Sequence, residues 1–357
     1  MLPPVLAVVW VVIGLAAPTS AAPAASGRTN VLFIVVDNLR PALGAYGNKE
    51  VVTPRIDALA ANSTLFSRAF CQEAWCSPSR NSFLTGRAPD ETKAYNFRDS
   101  FRKSAAGAPG PGADWTTLPG YFLQHGYYAS SSGKVFHPLL PANFDYPRSW
   151  SDQPICQSKA DCNDTMGCAF APPARNADAD CADLLISRLH KWKAKATRPP
   201  FFLSAGFQGP RLPWSYPASV VATRYPQGTA NVTVAELQDS PSGEFLEWFR
   251  PVEIDMYTDV HVTHDKPMSV ANQRRLRLAY YAAITNVDDQ VGRLLDAIEA
   301  VGPDVYGRTA VVFTADHAQV RKVKNLIFNH ELLHDRLQLL FTLHKSRRIL
   351  GKRTCGR

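Results

Sequence analysis

Three short apolar runs constrain the fold of this chain more than any other feature. They cover residues 30–36, 201–205 and 309–314, and the first and third are rich in β-branched residues. Continuous apolar runs of this length are typical of strands buried on both faces, as in a parallel sheet covered by helices. Residues 269–301 predict one such helix, because their apolar side chains recur at three- and four-residue steps. The 357 residues are 45% hydrophobic, enough for a large core, so we predict an α/β fold with a mostly parallel central sheet flanked by helices.

Polar residues follow each of these predicted strands. Asp37 and Asn38 come after the first run, residues 208–211 after the second, and Asp316 and His317 after the third. Parallel strands end at one edge of a sheet, where open α/β proteins bind their ligands. We therefore expect these side chains to converge. For a single acidic residue after a strand, a helix cap is the alternative interpretation.

A fourth polar loop follows a short predicted strand at residues 127–132. Its sequence is Gly-Lys-Val-Phe-His-Pro, residues 133–138, with Lys134 and His137 three positions apart. That spacing would place the two side chains on opposite faces of a strand, but it suits a loop that converges on one anion. Simple solvent exposure is the alternative interpretation. The proline-rich residues 215–268 show little periodicity and are predicted to be loop-like.

The motif with the most specific chemistry is Cys-Ser-Pro-Ser-Arg, residues 76–80, followed by Leu-Thr-Gly-Arg at residues 84–87. Pro78 suits the first turn of a helix, where its missing N–H would have had no partner. Cys76 then lies at a helix N-terminus, where free N–H groups and the helix dipole favour an anion such as sulfate. A buried or disulfide-bonded cysteine, with Cys71 as partner, is the alternative interpretation.

The other cysteines and the N-terminus indicate the compartment. Residues 5–17 are apolar and small residues follow, which predicts a cleaved signal peptide over residues 1–22 rather than a membrane span. Asn62, Asn163 and Asn231 begin glycosylation sequons. In an oxidising compartment, four clustered cysteines predict one or two disulfides, with zinc as the competing interpretation: Cys156, Cys162, Cys168 and Cys181.

The formal net charge of +8 is confined to one end of the chain. Ten Lys or Arg and two acidic residues lie beyond Ala318, which accounts for the whole excess. The rest of the chain is net neutral, so the composition does not predict a nucleic-acid-binding domain. We predict a basic tail over residues 319–357 that differs in character from residues 30–318.

Together these motifs resemble the sulfatase family, and most closely its iduronate-2-sulfatase branch. The matching stretches run from residue 31 to about residue 318 and include VVDNLRPALGAYG, CSPSRNSFLTGRAPD, GKVFHP, PFFLSAGFQGPRLPWSYP and VVFTADH. The resemblance implies an alkaline-phosphatase-like α/β core over residues 30–318, without the smaller C-terminal subdomain of the family. It also implies a lysosomal hydrolase that removes 2-O-sulfate from the iduronate units of heparan and dermatan sulfate.

The resemblance also implies roles for individual residues. Cys76 would be oxidised to formylglycine by a formylglycine-generating enzyme, and its hydrated aldehyde would attack sulfur. Family motifs assign catalysis to Cys76, Arg80, Lys134 and His137, with His137 as the base that releases sulfate. They assign substrate binding to Lys134 and His317, and Arg211, the one charged residue in a loop that departs from the family pattern, is predicted to bind sulfate as well. They assign a calcium ion to Asp37, Asn38, Cys76, Asp316 and His317, of which the oxygen ligands suit calcium best.

The chain departs from the family pattern in three places. Asn38 stands where family members usually carry a second aspartate. Residues 208–211 read Gln-Gly-Pro-Arg instead of His-Lys-Pro-His, and Arg211 is a poor proton donor. The sequence beyond Ala318 lacks the expected lysine-containing loop. A sulfatase-like protein that binds sulfated glycosaminoglycans without turnover is therefore the alternative function, and a phosphatase is disfavoured because it would use Ser or Thr with zinc.

Overall fold

The computed structural model describes residues 28–155, 162–172, 174–231, 257–260 and 269–317, together with the strand Arg336–Leu343. The predicted signal peptide, Cys156 and Cys355 lie outside the described residues. So does the predicted basic tail, apart from that strand. Among the helices that the structure describes, none is both long enough and apolar enough to cross a membrane.

A six-stranded sheet forms the centre of the fold, in the order β2-β8-β7-β1-β5-β3. β1 pairs in parallel with β5 and β7, and β3 pairs in parallel with β5. β8 runs antiparallel to its neighbours β7 and β2, so the predicted mostly parallel sheet is confirmed. The strands are β1 (Asn30–Val36), β2 (Thr64–Phe70), β3 (Tyr128–Gly133), β4 (Gly167–Phe170), β5 (Phe201–Phe207), β6 (Trp214–Pro217), β7 (Thr309–Ala315) and β8 (Arg336–Leu343), with β4 and β6 forming a separate parallel pair.

Helices cover both faces of this sheet, as the apolar strands require. Alternate β1 residues enter different cores: Leu32 and Ile34 pack on one side, Phe33 and Val35 on the other. The longest helix buries an apolar stripe that includes Ile284 in the first core. The helices are α1 (Pro54–Ala61), α2 (Cys76–Thr85), α3 (Pro89–Thr92), α4 (Leu118–Gln124), α5 (Ala177–Lys193), α6 (Ala218–Arg224), α7 (Val270–Val301) and α8 (Pro303–Tyr306), with short 3-10 turns at Gly44–Tyr46, Ala142–Asp145 and Gly228–Asn231.

The register of the central strands brings their carboxyl ends to one edge. Val36, the last residue of β1, pairs with Phe207 of β5 and with Ala315 of β7. Gly133 at the end of β3 pairs with Gly206. The polar residues that follow β1, β3, β5 and β7 therefore emerge side by side, as predicted from the apolar runs.

Two local predictions need correction or completion. The stretch predicted to be loop-like begins inside β6 and contains α6, a seven-residue helix with Val220 buried. A helix with so little buried surface carries no readable periodicity. Cys162 and Cys168 form a disulfide, so the disulfide interpretation is confirmed for this pair and zinc is excluded there.

Candidate active site

The first residue of α2 is Cys76, which is 4% exposed. Trp75 is the N-cap in an extended conformation, and the first helical hydrogen bond runs from the Ser79 N–H to the Trp75 carbonyl. Cys76 Sγ lies 3.2 Å from Asp37 Oδ1 and 3.1 Å from His317 Nε2. The thiol is thus held at a helix N-terminus between an acid from β1 and a histidine from β7, and it is not paired with Cys71.

Two buried carboxyl groups face two buried cations around this thiol. Asp37 contacts Lys134 Nζ, and Asp316 Oδ2 accepts a hydrogen bond of 2.9 Å from Arg80 Nε. We call Asp37, Cys76, Arg80, Lys134, Asp316 and His317 the charged centre. Every one of its side chains is buried. Buried charges are tolerated when they are paired and hydrogen-bonded, and these are.

Arg80 is held from several directions. It lies one helical turn after Cys76, so both side chains share one face of α2. Its Nη1 donates to the backbone carbonyls of Lys134 and Val135. The guanidinium therefore ties the start of α2 to the end of β3 as well as to Asp316, and its position depends on three separate segments of the chain.

The two carboxyl groups differ in acidity. Burial raises the pKa of Asp37, but the charges of Lys134 and Arg80 outweigh burial and hold that pKa well below its usual range. For Asp316, burial prevails over Arg80 and raises the pKa. Burial lowers the pKa of His317, yet Asp316 and Cys76 overcome it and raise the pKa to about 10. Cationic Arg80, Lys134 and His317 make the centre attractive to an anion.

Several polar atoms at the centre are buried without a hydrogen-bond partner. They are Asn38 Oδ1 and Nδ2, Arg80 Nη2 and His317 Nδ1. Asn38 has a φ of 63°, and its backbone is fixed by bonds to Asp316 Oδ1 and from the Tyr280 hydroxyl. Unsatisfied buried polar groups are rare and usually mark a site that binds an ion or a ligand. Donors and acceptors thus remain available beside Asp37, Cys76 and Asp316, whose ligand atoms, with those of His317, lie within 4.8 Å of one another.

Lys134 reaches the centre because two glycines let β3 and β5 approach closely. Gly133 has a φ of +75°, and a Cβ there would lie 2.2 Å from the Gly206 carbonyl oxygen. A Cβ on Gly206 would lie 2.1 Å from the backbone carbon of Lys134. Side chains at either position would push the Lys134 backbone away from Asp37.

Comparison with known proteins agrees with this arrangement. The Sulfatase family model matches residues 29–335. This chain belongs to the sulfatase family. It is 36% identical to human iduronate 2-sulfatase (Homo sapiens) over 317 residues, which are 81% of this chain and 54% of that protein. The chain spans about half the length of the curated relatives it matches.

Solved structures confirm the alkaline-phosphatase-like sulfatase fold. The phosphonate monoester hydrolase of Agrobacterium radiobacter superposes with a TM-score of 0.61 at 21% identity, over 88% of this chain and 68% of that one. A 2-O GAG sulfatase superposes with a TM-score of 0.58 at 20% identity, over 88% of this chain and 64% of that one. At these identities the likeness extends to the fold alone.

His137, predicted as the base in this sulfatase site, lies beside the charged centre. Its Nδ1 is 3.0 Å from the Pro138 carbonyl oxygen, which can only accept, so Nδ1 carries the proton and Nε2 has the lone pair. Burial, followed by the charges of Lys134 and Arg80, lowers the pKa of His137 to about 3. The imidazole is therefore neutral at the pH of any cellular compartment.

Arg211 lies at the periphery. Its charge contributes to the lowered pKa of Asp37, and its Nη1 donates to the Leu212 carbonyl. The structure therefore brings Asn38 and all six members of the charged centre together, with His137 and Arg211 at the border. The roles assigned to these residues remain predictions.

Asp178 was missed by sequence reasoning. It is the second residue of α5, and its carboxyl group accepts hydrogen bonds from the backbone N–H groups of Gln208 and Gly209 at 2.6 and 2.9 Å. Asp178, Gly209 and Arg211 line the same small cleft. Burial raises the pKa of Asp178 to about 6. An acid whose partners are backbone groups of a distant loop leaves no sequence signal.

Proposed function

We propose that this chain is a formylglycine-dependent, calcium-dependent sulfatase that removes 2-O-sulfate from iduronate units of heparan and dermatan sulfate. The observation that carries the proposal is the buried thiol of Cys76, in contact with Asp37 and His317 and surrounded by Arg80, Lys134 and Asp316. The name of a curated relative, iduronate 2-sulfatase, supports the substrate class.

The donor set fits calcium. Asp37, Asp316 and Asn38 offer oxygen atoms, the ligands that calcium prefers. The buried amide oxygen of Asn38 has no hydrogen-bond partner, as expected of an atom that binds an ion. We assign these three residues as oxygen ligands, with position 76 completing the group. His317 was predicted as a further ligand, but its raised pKa keeps the imidazole protonated, so we assign it to the nucleophile and the sulfate instead. A bound calcium ion would supply positive charge next to the sulfate oxygens.

The proposed nucleophile is position 76. Once hydrated, formylglycine supplies a hydroxyl group on the same Cβ that carries Sγ in Cys76. That hydroxyl can attack sulfur, break the bond between sulfur and the sugar oxygen, and release the sugar as its alcohol. Asp37 Oδ1 and His317 Nε2 contact this position. Asp37, which stays ionised, is placed to accept the hydroxyl proton, and His317 is placed to stabilise negative charge on the oxygen.

The cations of the centre are placed to bind sulfate. Arg80 Nη2 is buried, 3.8 Å from Asp37 Oδ1, and has no hydrogen-bond partner, so its N–H groups are available to an anion. Lys134 and the N-terminus of α2 add positive charge at the same place. Preorganised positive charge stabilises the negative charge that grows on the sulfate oxygens as the ester bond breaks.

His137 is proposed as the base of the second step. Its Nε2 lone pair is fixed by the Nδ1 bond to Pro138, and its low pKa keeps it unprotonated in an acidic lysosome. A neutral imidazole can take the remaining hydroxyl proton at position 76, which releases sulfate and restores the aldehyde. We therefore expect that kcat does not fall as the pH is lowered through about 6.5, the usual pKa of histidine.

A second candidate function follows from residues 208–211. Arg211 replaces the histidine that this branch of the family is expected to carry, so the loop offers no side chain that readily protonates the leaving oxygen. A protein with this loop would bind sulfated glycosaminoglycans and hydrolyse them slowly or not at all. The basic residues beyond Ala318 favour the same activity.

The decisive experiment is to secrete the full chain from cells that overproduce the formylglycine-generating enzyme. Mass spectrometry measures the fraction of formylglycine at position 76, and ion chromatography measures sulfate released from a 2-O-sulfated iduronate disaccharide. Calcium-dependent release that disappears in Cys76→Ala supports the sulfatase. Complete conversion to formylglycine with no release would refute it, and disaccharide binding without release would establish the second function.

The domain organisation and the location of the protein are proposed from its sequence and its family. We propose residues 1–22 as a signal peptide, residues 30–318 as the sulfatase domain and residues 319–357 as a basic tail. Glycosylation at the predicted sequons, passage through the secretory pathway and delivery to the lysosome are part of the proposal. Endoglycosidase treatment of secreted protein and N-terminal sequencing test it directly.

A further inference from the structure

Three rings form a row beside the charged centre. The Trp75 and Phe97 ring centroids are 5.2 Å apart, and those of Phe97 and His137 are 5.0 Å apart. Phe97, the middle ring, is 45% exposed. We call these three residues the aromatic row.

Both ends of this row are tied to the reacting group. Trp75 immediately precedes Cys76 and caps α2. The charges of Lys134, Arg80 and Asp37 shift the pKa of His137, so His137 lies close to these side chains. A molecule whose sulfate lies against Cys76 and Arg80 would therefore have the rest of its structure within reach of the row.

We propose that the aromatic row binds the sugar ring that carries the sulfate group. This inference rests on the proposed sulfatase function and deepens it, because it names a subsite for the organic part of the substrate. A pyranose ring has an apolar face of C–H bonds with hydroxyl groups around its edge. Packing that face on aromatic rings removes apolar surface from water while the hydroxyl groups stay solvated.

The shape of the row favours a sugar over a flat aryl group. The neighbouring rings are inclined to one another by 42° and 31°, so they do not form the parallel-sided slot that a flat aryl group would fill. Phe97 is half exposed, so the row is open to a ring that needs contact on one face. Next to Phe97 in the chain, Arg98 is exposed and supplies a positive charge for an acidic sugar.

Tyr121 provides a matched control. It is 41% exposed and stacks on His125 with centroids 4.0 Å apart, so it forms a second exposed aromatic–histidine pair. That pair lies at the end of α4, and neither residue contributes to the pKa shifts of the charged centre. Removing its ring tests for the general cost of losing an exposed aromatic side chain.

The test compares Phe97→Ala, Phe97→Leu, Trp75→Ala and Tyr121→Ala in the secreted, formylglycine-containing protein. Substrates are a sulfated pyranose monosaccharide and propyl sulfate, which lacks a ring, and inorganic sulfate serves as competitor. We expect the Phe97 and Trp75 variants to raise KM for the sugar sulfate about tenfold, which is about 1.4 kcal/mol. KM for propyl sulfate and inhibition by inorganic sulfate should change less than twofold, and Tyr121→Ala should match wild type.

Equal losses for propyl sulfate and the sugar sulfate would overturn the proposal, because they would mean that the variants disturb the charged centre. An unchanged KM for the sugar in both Phe97→Ala and Trp75→Ala would also overturn it. If wild type hydrolyses no sulfate ester, the sulfatase function fails on its own. Calorimetric titration of the sugar sulfate into the same variants then decides the aromatic row separately, since binding needs no turnover.

Discussion

The charged centre and the loop of residues 208–211 lie at the same edge of the sheet, yet they are built differently. Side chains of the centre are buried and bonded across distant segments: Arg80 contacts Asp316, 236 residues away, and the backbone of Lys134. The loop is held through its backbone, by Asp178, and its one charged side chain bonds to the neighbouring Leu212.

The charged centre and residues 208–211 therefore differ in how strongly the fold constrains their side chains. Moving any member of the centre would leave a partner charge buried and unpaired, so the arrangement is tied to the stability of the whole domain. Residues 208–211 are anchored through the backbone N–H groups of Gln208 and Gly209, and the Arg211 side chain is only half-buried. The centre contains the residues that the resemblance predicted, whereas residues 208–211 depart from the predicted pattern.

The largest expected effect is on the centre itself. Arg80→Met removes a guanidinium that pairs with Asp316 and leaves that carboxyl group buried without its cation. We expect the free energy of unfolding to fall by about 3–5 kcal/mol, measured by urea denaturation. Arg87→Met is the control: Arg87 forms an exposed pair with Glu91 one turn away and stacks on Trp115, so the loss should stay below about 1.5 kcal/mol. Similar losses in the two variants would remove the proposed link between the centre and stability.

The next effect concerns the glycine contact that brings Lys134 into place. Gly133→Ala forces a methyl group against the Gly206 carbonyl at a positive φ and should cost about 3 kcal/mol. Gly126→Ala has nearly the same φ, +78°, but its nearest neighbour is an Arg28 side-chain atom at 3.7 Å, so it should cost only about 1 kcal/mol. Thermal and urea unfolding of both variants check the difference, and equal costs would show that crowding is unimportant.

A smaller effect is expected where the loop is anchored. Asp178→Asn replaces one acceptor by an N–H group that faces a backbone N–H, which should cost about 1–2 kcal/mol below pH 4. Since burial raises the pKa of Asp178 to about 6, the folded protein binds more protons than the unfolded chain between about pH 4 and 6. The stability that this group contributes is therefore lost as pH rises through 6. The difference in the free energy of unfolding between wild type and Asp178→Asn should narrow by pH 7.

Asp180→Asn serves as the control for that titration. Asp180 lies on the same helix, has a side chain 42% exposed and pairs with Arg175 at the surface. Its replacement should change stability by less than about 0.5 kcal/mol at every pH. A difference in the free energy of unfolding between wild type and Asp178→Asn that widens with rising pH would contradict the assigned anchoring role.

The smallest effect on stability is expected at Arg211. Arg211→Met should leave the free energy of unfolding within about 0.5 kcal/mol, because the side chain is half-buried and bonds to an adjacent carbonyl. Its charge reaches Asp37, so the affinity for inorganic sulfate should fall a few-fold, measured by calorimetry. A large loss of stability would place Arg211 with the charged centre rather than with the loop.

Sequence reasoning was most successful where burial leaves a pattern. β1, β5 and β7 were predicted because their residues are buried on both faces, and the order of polar residues after them predicted which side chains meet. β2 was not predicted, since its residues are mostly exposed or half-buried and show no apolar run. Asp178 was not predicted either, because its partners are backbone N–H groups, which every residue but proline carries.

The burial of Cys76 has a consequence for the order of events during synthesis. Asp316 and His317, which close over the thiol, are translated about 240 residues after it. Once β7 has paired with β1, an enzyme that oxidises Cys76 has no access to it. If Cys76 is converted to formylglycine as proposed, the conversion has to precede folding of this domain, and a variant that folds faster should contain less formylglycine.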